Sequence, residues 1–257
     1  MQLARVRLAD KSVHFARCDL DHLQLLDAHD LVGAVNAKVI DEIANEKYTK
    51  LLPITRPSKI VCVGRNYAKH AQELGNDVPK EPKLFMKPSS SLIGHNQAIV
   101  LPEQSELVHH EAELAIVIKS ELKNANEAEA EAGILGCTIA NDVTARDLQR
   151  KDTVFTRAKG FDTFCPLGPM VTTLDAVKDL QDLEVKLWVN DELRQSANTG
   201  DMVFSVTHIL SYISKIMTLY PGDLVLTGTP EGVGALTSGD VVRVAIEGLG
   251  HLENPVA

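Results

Sequence analysis

The sequence has few cysteines and no arrangement of them that indicates a disulfide framework or a thiolate metal site. Four cysteines lie far apart in 257 residues, and no two have C-x-x-C spacing. No Cys/His cluster has the spacing of a zinc site, and reduced, mostly buried thiols are what we expect of a cytoplasmic protein. The cysteines are Cys18, Cys62, Cys137 and Cys165.

Long apolar runs and an excess of basic residues are also lacking. No stretch approaches the roughly 20 apolar residues that span a bilayer. The N-terminal Met-Gln-Leu-Ala-Arg has no charged segment that leads into an apolar one, so we expect no secretion signal. With 35 acidic and 26 basic residues the net charge is −9. This balance argues against nucleic acid and anionic membranes as partners, and an anionic substrate would need a local positive pocket.

Three common catalytic loop motifs are missing. Residues 226–234 (LTGTPEGVG) follow a predicted strand but lack the Gly-Lys-Ser/Thr ending and the helix of a phosphate loop. The segment is not G-x-G-x-x-G, and the chain has no G-x-S-x-G, so nothing in the sequence supports a serine hydrolase of the α/β type. We interpret residues 226–234 as a tight turn whose backbone can approach a ligand closely.

The N-terminal part predicts a small unit of its own. Residues 2–8 and 12–18 partly alternate between apolar and polar residues and predict a hairpin, whereas residues 22–48 predict mainly helix. Pro53 and Pro57 then interrupt regular structure, which places a boundary near residue 55.

The remainder predicts an α+β protein that is mainly β. Predicted strands outnumber helices and do not alternate regularly with them, which favours a largely antiparallel architecture over a Rossmann fold or a TIM barrel. The predicted strands are 60–63, 84–86, 98–101, 114–118, 185–189, 224–226 and 241–246, and the predicted helices are 126–132 and 205–217.

Two glutamates at the start of an apolar strand are the most informative residues. On a strand, Glu111 and Glu113 point to one face with α-carbons roughly 6.5–7 Å apart, so their carboxylates can share an ion. The motif alone fits a solvated strand face equally well. The apolar run 114–118 favours burial, where two like charges are costly unless a cation compensates them. His109 lies on the same face but roughly 13 Å from Glu113, too far to join both glutamates on one ion.

A third carboxylate, Asp142, comes directly after Asn141, which ends an apolar run. In isolation it is better explained as a helix cap. Three carboxylates without a thiolate make a hard oxygen site, which suits Mg²⁺ or Mn²⁺ better than Zn²⁺.

An acid–base pair and several cations accompany these carboxylates. His70 and Glu73 share one face of a helical turn, where a carboxylate orients an imidazole and raises its basicity. Spacing alone favours a surface pair by about three to one. Lys87, Arg146 and Lys159 would each ordinarily be solvated, but with a divalent cation they would form an anion pocket.

Six motifs in sequence resemble the fumarylacetoacetate hydrolase family, from about residue 57 to the C-terminus. The nearest branch contains small acylpyruvases, oxaloacetate decarboxylases and 2-hydroxyhepta-2,4-diene-1,7-dioate isomerases. The motifs are Val63-Gly64-Arg65-Asn66-Tyr67, His70-x-x-Glu73, Phe85-Met86-Lys87-Pro88, His110-Glu111-x-Glu113-Leu114, Asn141 to Asp147 and Leu226-Thr227-Gly228-Thr229-Pro230.

The resemblance implies a mixed β-sandwich roll, a homodimer, and a catalytic domain (56–257) after a small N-terminal region (1–55). It implies Mg²⁺ or Mn²⁺ as cofactor and a water-activating dyad on a lid, with Lys159 stabilising charge near the metal. The implied metal ligands are Glu111, Glu113 and Asp142, the dyad is His70 and Glu73, and the implied substrate contacts are Arg65, Tyr67, Lys87, Arg146, Gln149 and Thr229.

The expected activity is hydrolysis of a carbon–carbon bond in an acylpyruvate such as fumarylpyruvate, through an enolate held by the metal. Oxaloacetate decarboxylation and diene-dioate isomerisation would use the same site on other small 2-oxo acids. The alternative from another class is a metal-binding or small-molecule-binding protein without catalysis. The complete set of ligand and dyad residues argues against that alternative.

Overall fold

The structure is a computed structural model that describes residues 1–19, 22–44, 48–73 and 75–257. Strands dominate it, as predicted. The helices are α1 (Leu31–Ala34), α2 (Ala68–Glu73), α3 (Glu127–Ala132), α4 (Arg146–Lys151), α5 (Thr156–Lys159) and α6 (Val206–Ser214). The strands are β1 (Gln2–Leu8), β2 (Val13–Cys18), β3 (His22–Leu26), β4 (Val39–Ala44), β5 (Tyr48–Leu51), β6 (Ile60–Gly64), β7 (Lys83–Lys87), β8 (Leu92–Ile93), β9 (Val108–His109), β10 (Ala112–Ile118), β11 (Ile134–Asn141), β12 (Thr144–Ala145), β13 (Cys165–Thr173), β14 (Glu184–Val189), β15 (Glu192–Asn198), β16 (Leu224–Leu226), β17 (Val241–Ile246) and β18 (Gly250–Pro255).

One large sheet and one small sheet form the framework. The large sheet has the order β4-β3-β2-β1-β13-β11-β10-β16-β6-β7, with β5 added to β1 and β8 added to β13. The second sheet has the order β15-β14-β17-β18, and β12 pairs with β9. Pairing is antiparallel except between β16 and β6 and between β13 and β8. The predicted mainly-β, largely antiparallel architecture is therefore confirmed.

The core explains why the large sheet curls into a roll. β10 is buried at every position: Leu114 and Ile116 pack between the two sheets, whereas Ala115 and Val117 face the opposite side. That opposite side also contains residues from strands far apart in the sheet order, such as Leu3 of β1. These side chains pack together only because the sheet bends back on itself, and the burial of its apolar area on both faces stabilises this bend.

Residues 22–48 contradict the helical prediction. β3 and β4 occupy most of this range and pair with each other, and α1 is the one helix among its described residues. Leu23 and Leu25 alternate into an apolar cluster, so pairing with β2 buries them on one face of a strand. Local helix propensity is too weak to resist such packing. Residues 45–47 lie outside the described residues.

Most other predicted elements are present. The hairpin of β1 and β2 is confirmed, and both predicted helices begin beside a side-chain cap, Asn126 for α3 and Ser205 for α6. The predicted strand 98–101 is wrong, because this segment makes only an isolated bridge from Ile99 to Val256. No helix within the described residues is long and apolar enough to cross a membrane.

The N-terminal region shares the large sheet with the remainder of the chain. β1 pairs with β13 through Gln2–Thr172 and Leu3–Val171, and its other edge continues into β2. The boundary near residue 55 stays a prediction.

Buried Asp223 ties the segment before β6 to β16. Its Oδ1 accepts the backbone N–H groups of Ser58 (2.9 Å) and Lys59 (3.1 Å), and its Oδ2 accepts from Tyr220 N (2.9 Å) and Lys59 Nζ (2.5 Å). Asp223→Ala should lower the free energy of unfolding by about 3–5 kcal/mol, because it leaves buried donors and a cation without an acceptor. Urea denaturation measures this loss. Exposed Asp162→Ala is the matched control, and equal effects of both variants would contradict the assignment.

Candidate active site

The pairing of β10 with β11 brings the three predicted carboxylates together. Ala112, between the two glutamates, lies opposite Asn141, and Asp142 N donates to the carbonyl of Glu111 (2.8 Å). The side chains of Glu111, Glu113 and Asp142 are all buried, and each offers an oxygen within 4.8 Å of the others. Asp142 is therefore part of the carboxylate cluster and caps no helix. This cluster could bind a divalent metal.

Buried cations neutralise two of the three carboxylates. Lys159 Nζ donates to Glu111 Oε2 (2.7 Å) and Asp142 Oδ2 (2.6 Å), and Lys87 Nζ donates to Asp142 Oδ1 (2.5 Å). Arg146 donates to the other oxygen of Glu111. Burial opposes ionisation of Glu111, but Lys159 and Arg146 outweigh it and hold the pKa of this carboxyl below its usual value. Burial likewise opposes the charge of Lys159, but Asp142 and Glu111 raise its pKa.

Glu113 is the carboxylate whose charge lacks compensation. It accepts the N–H of Gly228 (2.7 Å), and within the described residues no basic side chain forms an ion pair with it. Burial first, and then the charges of Asp142 and Glu111, raise its pKa well above the usual value. A divalent cation held by the three carboxylates would supply the missing charge, and the all-oxygen donor set fits Mg²⁺ or Mn²⁺.

The acid–base pair is not the surface pair that its spacing favours. His70 on α2 is only 4% exposed, and its Nδ1 lies 3.3 Å from Glu73 Oε2. The other oxygen of Glu73 accepts the N–H of Gly232 (3.0 Å). Burial lowers the pKa of His70, against the opposing charge of Glu111 and the hydrogen bond of Glu73. The carboxylate thus orients a largely buried imidazole that is neutral near pH 7.

One cavity of about 380 Å³ joins the dyad to the carboxylate cluster. Two predicted substrate contacts do not line it. Lys87 is 1% exposed beneath Asp142, and Tyr67 is 2% exposed and forms a β-bridge with Met202. The predicted residues that do line the cavity are Arg65, His70, Glu73, Glu111, Glu113, Asp142, Arg146, Gln149, Lys159 and Thr229.

Sequence reasoning missed several residues of this site. Arg150, Phe85 and Phe155 also line the cavity, and the two phenylalanine rings meet edge to face with centroids 5.5 Å apart. Arg150 directly follows the predicted contact Gln149, a neighbour that could have been considered. Gln195 is buried behind the cavity, and nothing in its sequence surroundings (ELRQSAN) distinguishes it from a solvated strand residue.

Comparison with known proteins identifies the family of this chain. The sequence model described as fumarylacetoacetate (FAA) hydrolase C-terminal matches residues 59–257. The chain belongs to the fumarylacetoacetate hydrolase family. It is 45% identical over 223 residues to the oxaloacetate tautomerase FAHD2B, mitochondrial, of Bos taurus. The match covers 83% of this chain and 71% of that protein.

Two solved structures of this family match over the full chain. The 5-carboxymethyl-2-hydroxymuconate delta-isomerase from Mycobacterium smegmatis has 40% identity and a TM-score of 0.90, and covers 100% of this chain and 99% of its own. The 2-hydroxyhepta-2,4-diene-1,7-dioate isomerase from Mycobacterium marinum has 40% identity and a TM-score of 0.89. This match covers 100% of the present chain and 98% of the isomerase chain. The predicted family and its mixed β-sandwich roll are confirmed, and these relatives bear the names of enzymes.

Proposed function

We propose that this protein is a divalent-metal-dependent hydrolase that cleaves the carbon–carbon bond of acylpyruvates such as fumarylpyruvate. The observation that carries the proposal is the single cavity shared by the His70–Glu73 dyad and the three carboxylates. A base for water and a site for a 2-oxo acid are the two components that such a hydrolysis needs.

Glu111, Glu113 and Asp142 would hold Mg²⁺ or Mn²⁺, since three buried hard oxygen donors suit these ions. When bound, the ion supplies Lewis acidity toward the oxygens of a 2-oxo acid. Lys159 is fixed by its bonds to Glu111 and Asp142, so its ammonium group can stabilise negative charge that develops beside them.

The dyad performs the proton transfers. His70, oriented by Glu73, accepts a proton from water, and the resulting hydroxide attacks the distal acyl carbonyl. The carbon–carbon bond breaks with its electron pair on the methylene carbon, which gives a carboxylic acid and the enolate of pyruvate. The imidazolium of His70 then returns the proton to that carbon. One water is consumed, and one pyruvate and one carboxylic acid are produced; the acid then releases its proton to solvent.

Two arginines of the cavity support a substrate with a second carboxylate. Arg65 and Arg150 both line the cavity, and neither forms an ion pair with an acidic residue in the described part of the chain. Positive side chains without acidic partners suit an anionic ligand, and a guanidinium matches a carboxylate in geometry. A dicarboxylic acylpyruvate such as fumarylpyruvate therefore fits better than acetylpyruvate.

Arg150→Gln should raise KM for fumarylpyruvate by about tenfold and leave KM for acetylpyruvate within about twofold, because only the former has a distal carboxylate. Steady-state kinetics on both substrates measures the difference. Exposed Lys151→Gln, one residue further along α4, is the matched control. Parallel changes for both substrates would contradict this role of Arg150.

The pH profile of hydrolysis follows from His70. Its pKa lies below the usual 6.5. Half of the imidazole is therefore still neutral, and able to accept a proton, at a pH below 6.5. With saturating Mg²⁺, the midpoint of the acidic limb of kcat should therefore lie below pH 6.5. An acidic limb centred above pH 6.5 would contradict the role of His70 as base.

A second candidate function is tautomerisation or isomerisation of a 2-oxo acid, favoured by the identity to proteins named as a tautomerase and isomerases. The Mg²⁺-loaded protein should be incubated separately with fumarylpyruvate and with oxaloacetate, and the products quantified by NMR. Our proposal predicts fumarate and pyruvate in equal amounts. Intact fumarylpyruvate together with accelerated enol–keto exchange or decarboxylation of oxaloacetate would replace hydrolysis by these alternatives.

A further inference from the structure

Gln195 links the second sheet to the strand that carries two of the carboxylates. It lies on β15 and is 1% exposed. Its Oε1 accepts the backbone N–H of Ala112 (3.0 Å), the residue between Glu111 and Glu113, and lies 3.2 Å from Nδ1 of His110. The start of β10 is thus held from behind by one amide side chain.

The other end of the same amide holds the loop that lines the cavity. Gln195 Nε2 donates to the carbonyl of Pro230 (2.9 Å) and to Oγ1 of Thr229 (2.9 Å), with a longer contact to the carbonyl of Glu231 (3.4 Å). The amide cannot be flipped, because the N–H of Ala112 can only donate and the carbonyl of Pro230 can only accept.

This fixed orientation excludes one direction for the hydroxyl proton of Thr229. Both amide hydrogens are engaged, so Oγ1 of Thr229 is an acceptor toward Gln195 and its own proton must point elsewhere. Thr229 is 3% exposed and lines the cavity, and no described residue accepts that proton. A hydroxyl held in this way is a ready donor to an acceptor inside the cavity.

We propose that Gln195 is a positioning residue that fixes the Thr229 hydroxyl as a hydrogen-bond donor to an anionic oxygen of the bound 2-oxo acid. The inference rests on the proposed function for the class of ligand, a carboxylate. It adds a positioning contribution, because the amide of Gln195 occupies one acceptor position of Oγ1 and keeps the hydroxyl proton from pointing toward it. Gln195 touches no substrate itself and acts through Thr229.

Calorimetric titration of pyruvate into the Mg²⁺-saturated protein tests this role without turnover. Thr229→Val should weaken pyruvate binding by about tenfold, and Thr229→Ser, which keeps the hydroxyl, should retain most of the affinity. In a Gln195→Met background, Thr229→Val should weaken pyruvate binding by less than about threefold, because Gln195 no longer orients the hydroxyl. Mg²⁺ affinity, titrated separately, should change by less than about threefold in every variant if the carboxylates keep their places.

Additive effects of the two substitutions, or equal binding by the Thr229→Val and Thr229→Ser variants, would overturn the inference alone. The inference would also be overturned if Gln195→Met lowered the affinities for Mg²⁺ and pyruvate in the same proportion. Gln195 would then act only through the carboxylates. Absence of pyruvate binding by the wild-type protein would overturn both this inference and the proposed function. If Gln195→Met does not fold, the comparison of the two Thr229 variants still decides whether the hydroxyl is the donor.

Discussion

Glu113→Ala should abolish Mg²⁺-dependent turnover. Glu113 is the buried carboxylate without a cationic partner in the described structure, so its contribution to ion binding is the least replaceable of the three. We expect the affinity for Mg²⁺ to fall on the order of 100-fold or more, because even residues that only support metal ligands contribute 10–100-fold. Calorimetric titration of Mg²⁺ and the hydrolysis rate should fall together.

Two variants separate loss of the ligand from loss of the fold. Glu113→Gln keeps the volume and an acceptor for Gly228 N–H but removes the charge, so it should lose Mg²⁺ as well. Its metal-free form should be at least as stable as the metal-free wild type, because one of three clustered like charges is gone. Exposed Glu106→Ala is the matched control. Unchanged Mg²⁺-dependent turnover in Glu113→Ala would exclude Glu113 as a ligand.

His70→Ala should reduce hydrolysis of fumarylpyruvate by about 10²–10⁴-fold, the usual contribution of a general base. Decarboxylation of oxaloacetate requires no activated water and should lose far less. The ratio of the two rates on one preparation of the variant is the measurement, because damage to folding or metal binding would lower both rates alike.

A second histidine–glutamate pair supplies the control. His208 Nδ1 lies 3.3 Å from Glu127 Oε1, the same separation as in the dyad. The two side chains are 45% and 55% exposed, however, and neither lines the cavity. His208→Ala should leave both rates unchanged. Equal losses of hydrolysis and decarboxylation in His70→Ala would show that His70 does not serve to activate water.

The fold was predictable where the apolar pattern admits one interpretation. The run 114–118 is apolar at every position, which only a strand buried on both faces explains at this length, and β10 is such a strand. Residues 22–48 mix polar and apolar residues in a way that fits helix or strand. Pairing with β2 decides between them, and that contact is not visible in the local sequence.

The candidate site was predictable in its residues more than in its contacts. Strand geometry and the resemblance together selected Glu111, Glu113 and Asp142, which the structure brings together. Which cation pairs with which carboxylate depends on packing, so Lys87 was predicted to touch substrate although it lies buried under Asp142. Gln195 is more than 80 residues from Ala112 in sequence, and only the stacking of two sheets joins them.

The most direct test of the account is the ultraviolet absorbance of fumarylpyruvate with protein treated with EDTA, before and after the addition of Mg²⁺. We expect a stable absorbance without metal and a loss after Mg²⁺ is added, with pyruvate as a product. Loss at the same rate in EDTA would contradict a metal-dependent site at the three carboxylates. No loss with Mg²⁺ bound would contradict hydrolysis.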